Sequence, residues 1–487
     1  MQTISQPLSH ASRIANLLAT HPVIVLAGYF ALQALIRTWL GAPANLDEAE
    51  QLAIADRFSF GYGAHPPLYQ WLQTAAFKLL GVNFLAIALV KNAILFATFA
   101  TMVLLALEVA GSRQLATIAG FGLLFSANFS WESQIDHTHT VTNTLLVVAS
   151  TLTLFKLVAK KTFARYLLLG LCIGLGMLAK YNYALFLVAA LLTFGFDRDA
   201  RKIFQSRWIG LSLAVAMVIA GPHYLYIAEN PVAGAAKLSN LAMNRYGFLQ
   251  SRLVGIAAFL KAFAGVHGLW LALAALGWID RKSAPRALLA APAKDFACRS
   301  RLMLRLWAVL LCVFAGLVIV AGTTSFRDHW LQPESVFFPL VMAIVFARYL
   351  DQTAFRRLAV SAALLMVLIP CAVVANKRLF PGAQRDADMP DPAAIAVAYP
   401  EAAFGKVTVV IGQTSLRNWY AAGHLRYWLQ IPTPRHGANV VISAPHLLLF
   451  QTGEVPPAGT LAIPFFRPQE GQAKSEPGWH ALKIGDW

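Results

Sequence analysis

Runs of apolar residues close to 20 long recur along this chain, and they leave few folds open to it. A helix of about 20 residues crosses roughly 30 Å of hydrocarbon while satisfying its own backbone hydrogen bonds. About eleven such runs can be marked, over 22–40, 83–108, 114–130, 138–158, 165–180, 181–196, 208–228, 253–278, 304–322, 333–350 and 357–376. The runs 165–180 and 181–196 are short, and their join carries no proline or glycine. Charged residues make up 13% of the 487 positions and hydrophobic ones 58%. A soluble domain carries about 25% charged residues. The expected fold is therefore an α-helical polytopic membrane protein.

The net charge of +17, from 40 basic and 23 acidic residues, would suggest nucleic acid in a soluble chain. Here its distribution points elsewhere. One set of alternate loops holds Arg113, Lys160, Lys161, Arg198, Arg201, Lys202, Arg281, Lys282, Arg356 and Arg357, and the other set is sparsely basic. Basic loops stay in the cytoplasm, so the charge reads as topology and no nucleic-acid partner is expected. The N-terminus falls inside, the loop 41–82 outside and, with eleven spans, the C-terminus outside. The first run reads as an uncleaved anchor, because Arg37 and Trp39 interrupt it before Ala42-Pro43-Ala44. Cys172, Cys298, Cys312 and Cys371 show neither a disulfide framework nor metal-type spacing.

Residues 1–376 form the membrane body, with the first outer loop at 41–82. Residues 377–487 gain prolines and lose the long apolar runs. There Lys406 to Gly412 reads as a strand, Leu416 to Leu429 as a helix carrying Trp419, Tyr420, Tyr427 and Trp428, and Asn439 to Ser443 as a second strand. This pattern predicts a small C-terminal α/β domain on the outer side. Within the first outer loop, Glu48 to Phe60 and Leu68 to Leu80 read as interfacial helices joined by a turn of Gly61, Gly63, Pro66 and Pro67.

The outer loops hold the groups that can carry chemistry. Asp47 and Glu48 are adjacent carboxylates after the first span, suited to a general base, a cation site or both. An equally good reading is a helix cap, with Asp47 at the N-cap and Glu50 at the third helical position. His65, before Pro66-Pro67, can donate to a phosphate or exchange a proton near neutral pH, or be a plain turn residue. The stretch Trp131 to Thr140 brings Asp136, His137 and His139. Asp136, His137 and His139 can bind a divalent ion, or Asp136 can cap the fourth span; the two histidines, two positions apart, cannot share one helix face, which weakens the metal reading. Lys180 stands at the outer end of a span, where a charge at membrane depth is expensive and marks function unless it snorkels to the interface. Lys91, Glu229, Arg245 and Arg252 are further charged candidates. Arg327 to Glu334 can bind an anionic head group or anchor an aromatic belt.

A polar site on one face of a many-span protein suits a membrane enzyme. A transporter places its polar groups near mid-span, often on interrupted helices. A transporter or flippase of lipid-linked sugars is the alternative, and a scaffold without enzymatic activity is a third reading.

Asp47-Glu48, the following His65-Pro66-Pro67-Leu68-Tyr69 with Trp71, the stretch Gly174 to Tyr181, and His329-Trp330-Leu331-Gln332-Pro333 together resemble bacterial lipid-carrier-dependent glycosyltransferases of the GT-C class. That superfamily includes the protein O-mannosyltransferases and the aminoarabinose transferase of lipid A. The resemblance covers roughly residues 40–340. It implies sugar transfer from a polyprenyl-phosphate donor to a glycolipid, polysaccharide or protein of the cell envelope, lipopolysaccharide included, on the periplasmic side of the bacterial inner membrane. By that likeness Asp47 is the catalytic carboxylate, which either accepts the acceptor's proton or holds a divalent cation; Glu48 and Asp136 are further acids of the site. Lys180 matches the family's lysine and would contact the donor phosphate. Tyr69 belongs to the same donor-binding stretch. His65 stands where the aminoarabinose transferases have lysine, Ala64 where they have glutamate and Glu50 where they have arginine, which argues against that donor. Glycosyl transfer passes through an oxocarbenium-like state as a lipid phosphate leaves. Lys180, Arg245, His65 and His329 are the cations available to it, and a base near a partly dry site takes the acceptor proton.

Overall fold

A computed structural model describes residues 9–55, 57–62, 65–231, 243, 245–275, 295–379, 389–390, 392–400, 408–411, 416–430, 435–436, 446–451, 461–466 and 477–484. In chain order the helices are α1 (His10–Thr20), α2 (Pro22–Leu40), α3 (Leu46–Ile54), α4 (Leu68–Leu80), α5 (Phe84–Ala110), α6 (Arg113–Phe121), α7 (Thr138–Ala159), α8 (Phe163–Ala179), α9 (Tyr183–Gly195), α10 (Ile209–Glu229), α11 (Phe248–Ala275), α12 (Phe296–Ala321), α13 (Gln332–Ser335), α14 (Phe338–Val345), α15 (Gln352–Leu379), α16 (Pro392–Ala398) and α17 (Leu416–Leu429).

Among the described residues seven helices are long and apolar enough to cross a membrane: α2, α5, α7, α10, α11, α12 and α15. Four shorter apolar segments accompany them, at Arg113–Phe125, Phe163–Ala179, Tyr183–Gly195 and Gln332–Val345. The chain is a multi-pass membrane protein. Each expected span has a helical counterpart, but two are broken. The run expected at 114–130 leaves α6 as a 3-10 turn at Gly122–Phe125 and then a π-helix at Asn128–Glu132, an irregularity often found at functional sites. The run expected at 333–350 divides into α13 and α14. The join between α8 and α9 is real despite its lack of proline or glycine: Lys180 turns to extended backbone, and the Tyr183 amide donates to Lys180 O at 3.0 Å. The helix expected over Glu48 to Phe60 ends early, at Ile54, whereas Leu68 to Leu80 is helical as expected.

Contacts divide the chain into two compact units. The first comprises Met1–Ala31, Phe60–Leu68 and Asn92–Pro370, and the second Leu32–Ser59, Tyr69–Lys91 and Cys371–Trp487. In the first, α8 packs on α10 through small residues, as helices in lipid do. Gly170 and Gly174, four apart, face Ser212, Ala216 and Ile219, and a Cβ on Gly170 would sit 2.7 Å from the Ser212 carbonyl oxygen. Trp270 on α11 donates from Nε1 to Gly122 O at 3.0 Å, and Arg299 on α12 pairs with Glu108 on α5 at 2.7 Å.

The second unit joins the first-loop helices to the C-terminal segment. Ala44, Ala49, Leu52, Ala55, Phe77, Phe84, Ala86 and Ile87 form its buried apolar cluster. The strands β1 (Met389–Pro390), β2 (Thr408–Ile411), β3 (Arg435–His436), β4 (His446–Gln451), β5 (Leu461–Phe466) and β6 (Pro477–Ile484) make one mixed sheet in the order β1-β5-β6-β4-β2-β3. β2 lies parallel to β3 and β4, with Val409 opposite Leu447; β6 is antiparallel to β4 and β5. The strand expected at Lys406 to Gly412 is β2, and the aromatic helix is α17. The strand expected at 439–443 lies outside the described residues.

The α8–α10 contact predicts that Gly170→Ala lowers the thermal unfolding midpoint of the purified protein, by an amount equivalent to about 1–3 kcal/mol of overpacking. Gly210→Ala is the control, since a Cβ there meets nothing within 4 Å. Equal midpoints for the two variants would contradict the close approach.

Candidate active site

In the second unit the carboxylates of the first outer loop sit on α3, and the helix begins differently from the sequence expectation. Asn45, not Asp47, is the N-cap residue, and Glu48, not Glu50, is the third helical residue that completes the capping box. The Asn45 amide donates to Glu48 Oε2 at 2.8 Å. Glu48 also receives Arg37 through both oxygens: Nε donates to Oε1 at 2.7 Å and Nη2 to Oε2 at 2.6 Å. Arg37, in the last turn of α2, donates further to Gly41 O at 2.6 Å and stacks its guanidinium 4.4 Å from the Phe84 ring centre. Glu48 is 1% exposed. Burial alone pushes its carboxyl up, but the Arg37 guanidinium, with Lys91 and Lys377 adding to the field, outweighs burial and holds it down at about 2. A carboxylate so committed is a poor proton acceptor. Asp47, its neighbour in the first turn, is half-buried. Tyr69 on α4 is fully buried, and burial together with the Glu48 and Asp47 charges raises its phenol well above the ordinary value, so it stays protonated.

In the first unit the start of α7 is the meeting point. His137 is its N-cap residue, in the left-handed region at φ 71°, a conformation that costs a non-glycine residue about 1–3 kcal/mol and recurs at functional sites. The expectation that Asp136 caps this helix is therefore corrected by one residue; Asp136 is extended, and its amide donates to Glu132 O at 2.8 Å. Three side chains reach the next few positions. The His329 ring centre lies 4.9 Å from that of His137. His65 stacks on His139 at 4.2 Å, with the rings 15° from parallel. Lys180 Nζ donates to Thr140 Oγ1 at 2.6 Å. A helix start carries a partial positive charge, so basic side chains gathered there are suited to an anion.

Neighbouring groups hold this arrangement in place. Gln332 Nε2 donates to Ser133 Oγ at 2.9 Å, and buried Glu334 accepts from Trp307 Nε1 and lies 3.4 Å from His267 Nε2. Together these fix the segment that carries His329. Tyr181 Oη lies 3.2 Å from His223 Nε2, whose Nδ1 is 2.6 Å from Phe60 O. Glu132 is half-buried, and burial followed by the Asp328 carboxylate raises its carboxyl above the usual range. Arg245 stands exposed ahead of α11, and the described residues show no contact that brings it to this cluster.

The family model for dolichyl-phosphate-mannose-protein mannosyltransferases matches residues 64–226. Lipopolysaccharide core galacturonosyltransferase RgtB of Rhizobium johnstonii is 32% identical over 354 residues, covering 72% of this chain and 70% of that protein. RgtA of the same organism, also a lipopolysaccharide core galacturonosyltransferase, is 31% identical over 359 residues, covering 72% and 69%. The chain belongs to this family of GT-C glycosyltransferases. ArnT of Cupriavidus metallidurans bound to undecaprenyl phosphate shares the glycosyltransferase's fold, with a TM-score of 0.62 over 95% of this chain and 98% of that one at 13% identity. The matching relatives are transferases, and none of them supports the flippase alternative.

In this glycosyltransferase, the sequence singles out Lys180, His65 and His329, which the structure brings to the start of α7, but not Thr140 or His223 in the same unit, nor Arg37 beside Glu48 in the other. Arg37 carried a usable signal, as a cation in the last turn of an apolar span with an acid eleven residues later. Thr140 and His223 carried none, since their importance comes from partners 40 and more positions away. Glu50 is half-buried, and Ala64 lies outside the described residues.

A carboxyl held below its unfolded-state value stabilises the fold above the ordinary range near 4.5 and gives that stability up as pH falls toward 2. Glu48→Gln leaves Arg37 buried without its countercharge, a loss of about 3–5 kcal/mol. The expected outcome is a lowered unfolding midpoint at pH 7 and a flatter fall between pH 4.5 and 2, read by scanning fluorimetry in detergent. A midpoint and slope equal to the parent's would refute the pairing.

Proposed function

We propose that this glycosyltransferase moves a sugar from a polyprenyl-phosphate donor to a cell-envelope glycolipid on the periplasmic face of the inner membrane. The observation that carries the reading is the convergence of His65, Lys180 and His329 on the first turn of α7. A departing lipid phosphate needs such a set of donors, aimed where negative charge develops. The long isoprenoid tail gives a reason for embedding the enzyme among apolar helices.

In this reading the bond from the sugar's anomeric carbon to the phosphate oxygen breaks as a new bond forms to the acceptor oxygen. Asp47 takes the acceptor hydroxyl's proton, and the polyprenyl phosphate leaves with the bonding electrons. A single displacement of this kind inverts the anomeric centre. Glu48 positions its neighbour and takes no proton. Asp136, beside the α7 start, orients the acceptor or the sugar. Should a divalent cation take part, Asp47 is the carboxylate that would hold it, with substrate or water oxygens completing its shell, as magnesium sites often do. The names of RgtA and RgtB point to a galacturonosyl group as the sugar and a lipopolysaccharide core as the acceptor. His65, Ala64 and Glu50 differ from the aminoarabinose pattern in the same direction, away from that donor.

The direct test is transfer by purified protein from a synthetic polyprenyl-phosphate galacturonate to lipopolysaccharide core, followed by mass spectrometry. Asp47→Asn is expected to lower turnover by about 10²–10⁴-fold, the usual contribution of a positioned base, with the protein still folded. Lys180→Met removes a charge-assisted contact of about 1.5–3 kcal/mol, so kcat/KM is expected to drop roughly tenfold to a hundredfold. Parent-like turnover in folded Asp47→Asn would end the assignment. No mass change in the envelope lipids of a deletion strain would end the choice of acceptor.

A further inference from the structure

The C-terminal helix α17 carries a second role besides packing. We infer that α17 sets the position of α3, with Gly423 and Arg426 as positioning residues for Asp47; this rests on the catalytic reading of Asp47 given above. The helix α3 has nine residues, too few to hold by its own hydrogen bonds in water. Its last carbonyls lack partners within the helix. Arg426 supplies them: Nη1 donates to Leu52 O at 2.7 Å and Nη2 to Ala55 O at 3.4 Å. A guanidinium there also opposes the negative end of the helix dipole. Arg426 is 7% exposed and passes over the Phe77 ring at 5.5 Å, so the contact is built in rather than superficial.

The middle and the start of α3 are fixed from the same helix. Gly423 lies so close to Ala49 that a Cβ on it would fall 2.2 Å from the Ala49 carbonyl oxygen. One residue on, His424 Nε2 accepts from the Ala44 amide at 3.0 Å. Lys377 at the end of α15 donates to Pro43 O at 2.5 Å and steadies the approach to the helix. Ala422, Leu425 and Leu429 are buried along the same stripe of α17, as are Ala49, Leu52 and Ala53 on α3. Three points on one element thus hold α3 at its start, its centre and its end. A glycine at the closest approach leaves no slack: any side chain there pushes α3 away. Misplacing a catalytic group by about 1 Å can cost 10²-fold in rate. Residues more than 360 positions beyond α3 are therefore part of the apparatus that aims its carboxylate.

The test uses the purified full-length chain with Gly423→Ala, Arg426→Gln and Arg426→Lys, and with Trp428→Ala as a control on an exposed position of α17. Gly423→Ala and Arg426→Gln are expected to lower kcat about 10–100-fold, with the donor KM within about twofold of the parent. Arg426→Lys, which keeps one donor and the charge, should recover part of the loss, and Trp428→Ala should match the parent. Hydrogen exchange of the 46–54 amides should quicken in the first two variants. If Gly423→Ala fails to fold, the two Arg426 variants carry the test. Parent-like kcat with unchanged exchange in folded Arg426→Gln overturns the inference, as does a loss confined to KM. Should the parent show no transfer, the transferase reading falls, and the exchange measurement alone decides whether α17 holds α3.

Discussion

The buried pair of Arg37 and Glu48 fixes where the first span ends and where α3 begins. Burying two ions costs several kcal/mol each, and mutual attraction offsets that only when the remaining hydrogen-bonding positions are filled. Here they are. The guanidinium reaches both carboxylate oxygens and the Gly41 carbonyl, and the Asn45 amide adds a further donor to Glu48. An apolar pair of the same volume would hold the two segments together as well. It would not fix the backbone from Gly41 to Glu48, which contains a left-handed glycine and the first turn of a short helix. The gain is geometrical. The residue before Glu48 inherits a defined position although it takes no part in the pair.

The first unit gathers basic side chains from three distant segments at one helix start. On the proposed reading, imidazoles beside a single lysine would hold a leaving phosphate with less permanent charge than a cluster of lysines. The strained backbone at His137 belongs to the same picture. It turns the chain so that successive residues meet His329, His65 and Lys180 in order.

Much of this was legible from the chain itself. Apolar runs fix helices because lipid permits little else, and even the indistinct break at Lys180 survives in the fold. Lys180 and His329 announced themselves as charges at the ends of apolar stretches. The caps were misplaced by one or two residues, at Asn45 and His137, because local pattern does not say which of several polar residues turns out of helical backbone. The stacking of His65 on His139 and the contact of Gly423 with Ala49 were not legible at all. Both are products of tertiary packing, which brings together residues 74 and 374 positions apart and leaves no periodic trace in either segment.

The adjacency of Asp47 and Glu48 leaves two readings in balance, an Asp47 helix cap or a catalytic acid, and the structure moves the cap to Asn45, with Glu48 completing the capping box. Consecutive residues on an α-helix point about 100° apart, so two neighbours in a first turn cannot serve the same partner. If one faces Arg37 and the buried core of the loop, the other must face elsewhere. Glu48 takes the inward direction and completes the capping box that Asn45 begins, ionised to about pH 2. Asp47 beside it is half-buried. Burial raises the Tyr69 phenol well above its ordinary value, and the Glu48 and Asp47 charges add to that shift. If Asp47 is the base of the proposed reaction, two carboxylates in succession separate that task from holding the helix start, which Glu48 does with one buried arginine.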